Sequence, residues 1–394
     1  MYDESGKRYL DAYSGVGVVN CGHCHPKITK AATHQLKTLQ HTTTIYITEP
    51  ILNLAKALSA FIGNGLKRSF FCTSGSEANE GAMRLAKLYT GRTHFIALDN
   101  SLHGRTYLTT AATGLKFWRT DPDSAKNIHF VPSPICSQCP HRLDRATCRL
   151  KCTDDIARIV KKNKGRIAAM IAEPIQGNGG IHPLPKGYLK KVKKILNEYG
   201  ALLILDEAQT GFGRTGRRFA FLHDGTAPDI LTVCKALGNG LPISAFVTTD
   251  KIAAAYTRPG ASTFGGNPVC SEAAIATLNV MSADRLDQRA KLLGELLKKY
   301  LLGLKKQSDW IREVRGTGLM LGVELAEPLT GAPASGKLDE ILEELKDRGI
   351  LAGKTGKDRN VLTFMPPLVI QEKDVRFIHE TVKLAFKKAG LLKL

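Results

Sequence analysis

Short apolar runs alternate with helical patterns through the middle of the chain. "RSFFCTS" reads as a strand that leads through Gly75 into a helix, roughly Glu77 to Leu88, closed by Gly91. Ser74 and Glu77 have the spacing of a capping box. "THFIALD", "IAAMIAE", "ALLILDE", "DILTVCK" and "SAFVTTD" are further short apolar strands. "KGYLKKVKKILNEYG" lies between two of them, carries apolar residues at helical spacing and ends in glycine. Continuous apolar strands alternating with helices predict an α/β fold, with a mostly parallel sheet covered on both faces.

From about residue 290 the pattern changes. A long helix ("AKLLGELLKKYLLGLKK") precedes strand-like "GLMLGVELA", the helix "KLDEILEELKDRG" and a final helix. This predicts a second, smaller α+β domain. The N-terminal "GKRYLDAYSG" belongs with it, because the large-domain pattern starts later. The expected division is 41–285 for the large domain and 1–40 plus 286–394 for the small one. The chain shows no internal repeat, low-complexity tract or long linker.

At 394 residues, 43% hydrophobic and 23% charged, the composition is that of an ordinary globular protein. No apolar stretch approaches the roughly 20 residues of a membrane span. The polar start "MYDESGKRYLDA" has no signal-peptide core, so a cytoplasmic location is expected. The net charge is +20. Its lysines are spread through "KKNKGR", "KGYLKKVKK", "LKKYLLGLKKQ" and "AFKKAGLLKL", several at helical spacing between apolar residues. No stripe interleaves Arg with base-stacking aromatics, so basic helix surfaces are expected rather than a nucleic-acid partner.

Ligands of a parallel sheet bind outside the carboxyl ends of its strands. "ALLILDE" delivers Asp206 there, and "DILTVCK" delivers Lys235. "RSFFCTS" runs into Gly75 and Ser76 at a helix N-terminus suited to phosphate. A carboxylate, an amine and a phosphate cradle on one sheet edge are what pyridoxal phosphate requires. Each feature alone has a plainer reading: a strand-end lysine often snorkels to the surface, and an Asp-Glu pair often caps a helix. Their order along the chain favours the cofactor.

"SGSEANEGAMRLAK", "LHGRT", "AEPIQGNGG", "LLILDEAQTGFGRTG", "CKALGNGLP" and "STFGGNP" resemble the motifs of class III pyridoxal-phosphate aminotransferases, which include the ornithine, acetylornithine and 4-aminobutyrate enzymes. The resemblance runs from "YDESGKRYLD" to "FMPPLVI". It implies a fold type I architecture and a homodimer with active sites at the interface. On this resemblance Lys235 is the Schiff-base lysine, Asp206 the partner of the pyridine nitrogen, and Gln209 the residue beside the phenolic oxygen. Gly75 and Ser76 match the phosphate loop, and Thr263 the residue that reaches the phosphate from the neighbouring subunit. Ala208 would pack on one ring face. His103 is open between a cofactor contact and a packing role.

Three departures bear on function. The family places Phe or Tyr before "HG", stacked on the ring; here Leu102 stands there and loses about 0.5–1.5 kcal/mol of stacking. Many members have a Glu in "EPIQGEGG" and an Arg before "F-x-P-P-L", which pair; here the positions are Asn178 and Thr363. Loss of both is expected where one survivor would be a costly unpaired buried charge. The gate that lets such enzymes alternate ω-amino and α-amino substrates is then missing, and Arg105 becomes either a carboxylate clamp or a structural arginine. Relatives also carry a few tens of residues ahead of the matched start.

The expected activity is transamination between an amino donor, an ω-amino acid or other amine, and a 2-oxo acid acceptor. The alternative on the same scaffold is an amino-acid racemase or epimerase. The nine cysteines keep a rival from another class open, a nucleic-acid-binding metalloprotein. Cys136, Cys139, Cys148 and Cys152 have the spacing C-x2-C-x8-C-x3-C. A knuckle-like first pair and a second pair on one helix face would suit structural zinc, or less so an iron–sulfur cluster; two disulfides or four thiols are the other readings. "NCGHCHP" has the same first spacing, but "GHCHP" is shared by the family, so Cys21 and Cys24 read as packing residues.

Overall fold

The computed structural model describes residues 1–139, 141–144 and 146–393. Its central sheet has seven strands: β1 (Arg68–Cys72), β2 (His94–Leu98), β3 (Ile128–Val131), β4 (Ile167–Ala172), β5 (Leu202–Asp206), β6 (Ile230–Val233) and β7 (Ser244–Thr248). Their spatial order is β1-β7-β6-β5-β4-β2-β3. All neighbours are parallel except β7, which runs antiparallel to β1 and β6. Every residue of β4 and β5 is buried, which is why these strands are apolar without alternation. Strand β3 stands at the sheet edge with three of its four residues half-buried. Its short "IHFV" is too brief a pattern to stand out in the sequence.

A second sheet is antiparallel. It comprises β8 (Ile311–Thr317), β9 (Met320–Leu325), β10 (Gly353–Thr355) and β11 (Val361–Phe364), in the order β8-β9-β11-β10. Helices Leu286–Lys306, Ser335–Asp347 and Glu372–Lys388 pack with it and with one another. The N-terminal strand Leu10–Asp11 pairs with Ile350–Leu351 beside this sheet. Further along, Ala12 and Asn20 accept backbone hydrogen bonds from Met365 and Leu368 at 2.8 Å each. The early segment therefore runs with the C-terminal elements.

One buried cation ties these parts together. Arg214 is fully buried and donates to the carbonyls of Leu319 (2.9 Å) and Pro366 (2.5 Å) and to the side chain of Asn20. Burial pushes its pKa down to about 9, with Asp11 opposing. Three carbonyl-type oxygens stand where a carboxylate would be expected. Among the described residues no helix is long and apolar enough to cross a membrane.

Candidate active site

Helix Gly75–Thr90 starts directly beyond β1. Ser74 caps it, its hydroxyl accepting the Glu77 N–H at 3.2 Å. The return half of the expected capping box is displaced by one residue. Glu77 accepts from the backbone and hydroxyl of Thr73 instead, at 2.8 and 2.9 Å. Gly75 and Ser76 form the first turn and are partly open. The Ser76 hydroxyl accepts the Arg105 N–H at 3.0 Å, which joins the "LHGRT" segment to this helix start. Gly104 makes that approach feasible. It has φ of +143°, and a β-carbon there would lie 2.6 Å from the Ser76 hydroxyl.

Asp206 ends β5 and is buried. Three groups hold its carboxylate. His103 Nδ1 lies 2.9 Å from Oδ2, the Asn79 amide donates to the same oxygen at 2.7 Å, and the Ala208 N–H donates to Oδ1 at 3.1 Å. Burial alone would push this carboxyl up. The hydrogen bonds of His103, Ala208 and Asn79 outweigh it and hold its pKa below the usual carboxylate value. An ionised Asp206 only accepts, so His103 carries its proton on Nδ1. Its Nε2 is buried with no hydrogen-bond partner among the described residues.

Strand β6 ends at Val233, and Lys235 opens a short 3₁₀ turn two residues later. Lys235 carries φ of +41°, a left-handed conformation that non-glycine residues reach at a cost. Burial pushes the pKa of its amine below the ordinary lysine value, while Cys234, Asp206 and Glu173 pull the other way. Two carboxylates therefore act electrostatically on the amine, one of them not singled out from the sequence.

That second carboxylate is Glu173, buried just beyond β4. It accepts the Leu102 N–H at 2.9 Å and the Gly177 N–H at 3.0 Å. Burial pushes its carboxyl up to about 7; His103 pulls it down and Asp206 adds to the rise. The acidic end of "IAAMIAE" is the same strand-end signal that marked Asp206 and Lys235. Asn79 is the other residue sequence reasoning missed. It sits on the buried face of its helix among Ala78, Ala82 and Met83, and its amide oxygen accepts from Thr232 at 2.6 Å. A polar residue at an apolar helical position was the signal.

Leu102 and Ala208 are half-buried, and Gln209 is buried with its amide oxygen unpartnered among the described residues. Arg105 and Thr263 are exposed. Ser262, beside Thr263, donates to Glu77 at 2.8 Å. Glu207, next to Asp206, is structural: it accepts from Ala220, Phe221 and Thr210 at 2.7, 2.8 and 2.9 Å.

The zinc expectation is not supported. Cys136, Cys139, Cys148 and Cys152 line one cavity of about 290 Å³ together with His141. Among the described residues, however, no group of three or more His, Cys, Asp or Glu is placed to hold a metal ion. The second pair does not lie on one helix face. Arg149 and Leu150, between the two cysteines, have φ of +46° and +58°, and Cys152 sits in a 3₁₀ turn. Burial and then the neighbouring thiols push Cys152 up to about 11. Of the other motif, Cys21 is buried as expected, but Cys24 is exposed.

The Aminotransferase class-III family profile matches residues 1–386. An alanine–glyoxylate aminotransferase 2 homolog of Arabidopsis thaliana is 39% identical over 98% of this chain and 81% of its own length. An acetylornithine aminotransferase of Methanocaldococcus jannaschii is 39% identical, over 95% of this chain and 88% of its own. Solved structures agree. A Bacillus anthracis aminotransferase superposes with a TM-score of 0.93 at 33% identity, covering 98% of this chain and 91% of that one. An amine transaminase from an uncultivated Pseudomonas species, in its pyridoxal-phosphate-bound form, reaches 0.94 at 28% identity, covering 99% and 93%. A strand-end lysine and aspartate beside a helix N-terminus, within a chain matched over nearly its whole length, make this protein a member of the class III aminotransferases, catalysing pyridoxal-phosphate-dependent transamination.

Proposed function

We propose that the amino donor is an ω-amino acid or a simple amine and the acceptor a 2-oxo acid. The observation that carries this reading is Thr363. It is fully buried, with its hydroxyl 2.7 Å from that of Thr355, so no cation stands at that position to take a donor's α-carboxylate. Asn178, at the matching acidic position, accepts the Gly356 N–H through its carbonyl at 2.9 Å.

The residues present fit the cofactor. Gln209 carries a buried amide oxygen without a partner among the described residues, beside Ala208 and Asp206. Ser76 and Gly75 open a 16-residue helix whose N-terminal N–H groups suit a phosphate. When bound, pyridoxal phosphate supplies a carbonyl that captures the amine and a ring that takes up the electron pair released at the substrate carbon. Asp206, held ionised by His103 and Asn79, would pair with a ring N–H. Leu102 and Ala208 would cover the ring faces. Lys235 would anchor the cofactor and, with its amine pKa lowered by burial, move a proton at the substrate carbon as general base and acid. Arg105 is exposed beside Ser76 and available as a carboxylate clamp.

A second copy of the chain fits the exposed apolar residues Ile45, Tyr46, Ile47, Leu52 and Phe264, the last next to Thr263. A homodimer in which Thr263 serves the neighbouring site accounts for its exposure. The division into a large domain, 41–285, and a small one, 1–40 plus 286–394, agrees with the pairing of Leu10–Asp11 and Ile350–Leu351. We expect the enzyme to work in the cytoplasm.

A donor panel tests the reading, with pyruvate or 2-oxoglutarate as acceptor and loss of the cofactor's visible absorbance as readout. The expected order of kcat/KM is 4-aminobutyrate or a simple amine above alanine. Alanine is the decisive comparison, because the Arabidopsis relative is named for it. A higher kcat/KM for alanine would overturn the donor assignment.

A further inference from the structure

We propose that Glu173 is a positioning residue of the reaction: its two carboxylate oxygens hold at one fixed spacing the Leu102 segment, which leads to His103 and Asp206, and the Gly177 loop, against which Gln209 rests. The inference rests on the reading of Lys235 and Asp206 as the cofactor site.

Each oxygen of Glu173 has its own backbone donor, Leu102 at 2.9 Å and Gly177 at 3.0 Å, from segments 75 residues apart in the chain. Leu102 leads into His103, which holds Asp206. Gly177 supports the other side. A β-carbon at Gly177 would lie 2.0 Å from the Gln209 amide oxygen, so that amide rests directly on the glycine. One carboxylate thus fixes Leu102, which would cover the ring of a bound cofactor, and the wall against which Gln209 lies. It does so within electrostatic reach of Lys235, Asp206 and His103.

The need for a carboxylate follows from the donors. Two N–H groups converge on one side chain, and only an ionised Glu or Asp offers two acceptor oxygens with no competing donor, the state Glu173 takes up as pH rises through about 7. Glutamine in its place turns an NH₂ toward one of these N–H groups and releases one segment. Aspartate keeps the charge but is one methylene short of spanning both. The charge also acts on Lys235: a nearby carboxylate favours the cationic form of a nitrogen, so its removal lowers the pH at which that nitrogen gives up its proton.

The two variants separate spacing from charge. Purified holoenzyme of Glu173→Gln is expected to lose about tenfold or more in kcat, as one charged-acceptor hydrogen bond is lost. The pH midpoint of its bound cofactor's visible absorbance should move down. Glu173→Asp should lose kcat to a similar extent while keeping the wild-type midpoint. If both variants keep kcat and KM within about twofold, less than the effect of one such bond, and neither midpoint moves, the proposal is overturned even if thermal stability falls. If Glu173→Gln does not yield folded protein, Glu173→Asp alone decides by its kcat. Lys235→Ala run alongside keeps the two readings distinguishable. An active Lys235→Ala removes the site assignment itself, whereas an inactive one with unaffected Glu173 variants removes only this role.

Discussion

His103 Nδ1 and Asp206 Oδ2 stand 2.9 Å apart, both buried at the carboxyl end of β5. This contact is the chief influence that overcomes burial and keeps Asp206 ionised. His103→Ala removes it and leaves the carboxylate to Asn79 and the Ala208 N–H. A hydrogen bond to a charged group contributes about 1.5–3 kcal/mol, so kcat should fall by roughly ten- to a hundredfold. The direction with pH follows from the sign. Without His103 the carboxyl pKa rises, Asp206 takes up its proton at a higher pH, and the acid limb of the kcat profile moves up. A pH–rate profile with an unmoved acid limb would show that His103 only packs.

Asn79→Ala acts on the same carboxylate from the helix side. The amide donates to Asp206 and to the His103 carbonyl, and accepts from Thr232. Its loss leaves a buried hydroxyl and a buried carbonyl short of partners, at about 1–3 kcal/mol each. Both the thermal midpoint and cofactor affinity should drop. Equilibrium dialysis of pyridoxal phosphate against the variant measures the second effect, and unchanged affinity would confine Asn79 to stability.

These two residues show which part of the site was legible in the sequence. Lys235, Asp206, Gly75 and Ser76 stand at strand ends and a helix start, where topology alone brings side chains to one edge. Glu173 follows the end of a strand in the same way, but its two backbone partners, Leu102 and Gly177, leave no mark in its own spacing. Asn79 is contributed by a helix face, and nothing in the spacing says that its amide meets a carboxylate 127 residues away. The fold divides similarly. The buried parallel strands announce themselves by unbroken apolar runs, whereas β3, β10 and β11 are short and owe their pairing to neighbours. The cysteine spacing misled for a related reason: the left-handed turn at Arg149 and Leu150 cannot be read from residue identity, since neither is glycine or asparagine.

Leu102→Phe or Leu102→Tyr should tighten cofactor binding. The backbone of Leu102 is held by Glu173 rather than by its own side chain, so the side chain proposed to cover the ring can change without releasing the segment. An aromatic ring restores about 0.5–1.5 kcal/mol of stacking, or roughly two- to tenfold in Kd. Measured constants that are unchanged or weaker would mean that another group covers that face.

Lys235→Ala should abolish turnover and leave the fold intact. The left-handed φ of +41° costs alanine as much as lysine, so this strain cancels and stability should stay within about 1 kcal/mol, against a total loss of rate. Far-UV circular dichroism and a donor–acceptor assay together make the check. Wild-type turnover in the variant would end the assignment of this lysine.

Glu207→Gln tests a stability effect of the neighbouring carboxyl. Burial pushes Glu207 up to about 7 from the usual glutamate value, against the hydrogen bonds from Ala220, Phe221 and Thr210. A raised pKa means that the folded protein binds this proton more tightly than the unfolded chain does. Its contribution is therefore fully present below about pH 4.5 and is lost as pH rises through about 7, over a range of a few kcal/mol. Glu173 shares the window and the sign. His182 opposes both, since burial pushes it down to about 3, so its contribution grows with pH until the unfolded histidine value is reached. The slope of wild-type stability is thus mixed, and the informative quantity is the difference between wild type and variant. Glutamine cannot titrate and turns an NH₂ with two donors toward the N–H and O–H donors of Ala220, Phe221 and Thr210, where the protonated carboxyl carries only one O–H, so Glu207→Gln should be less stable at pH 5. The gap should narrow toward pH 8, where wild type bears the cost of burying the charge. Chemical denaturation of the two holoenzymes at pH 5, 6.5 and 8 measures the gap, and a gap that stays constant or widens with pH would refute the raised pKa of Glu207.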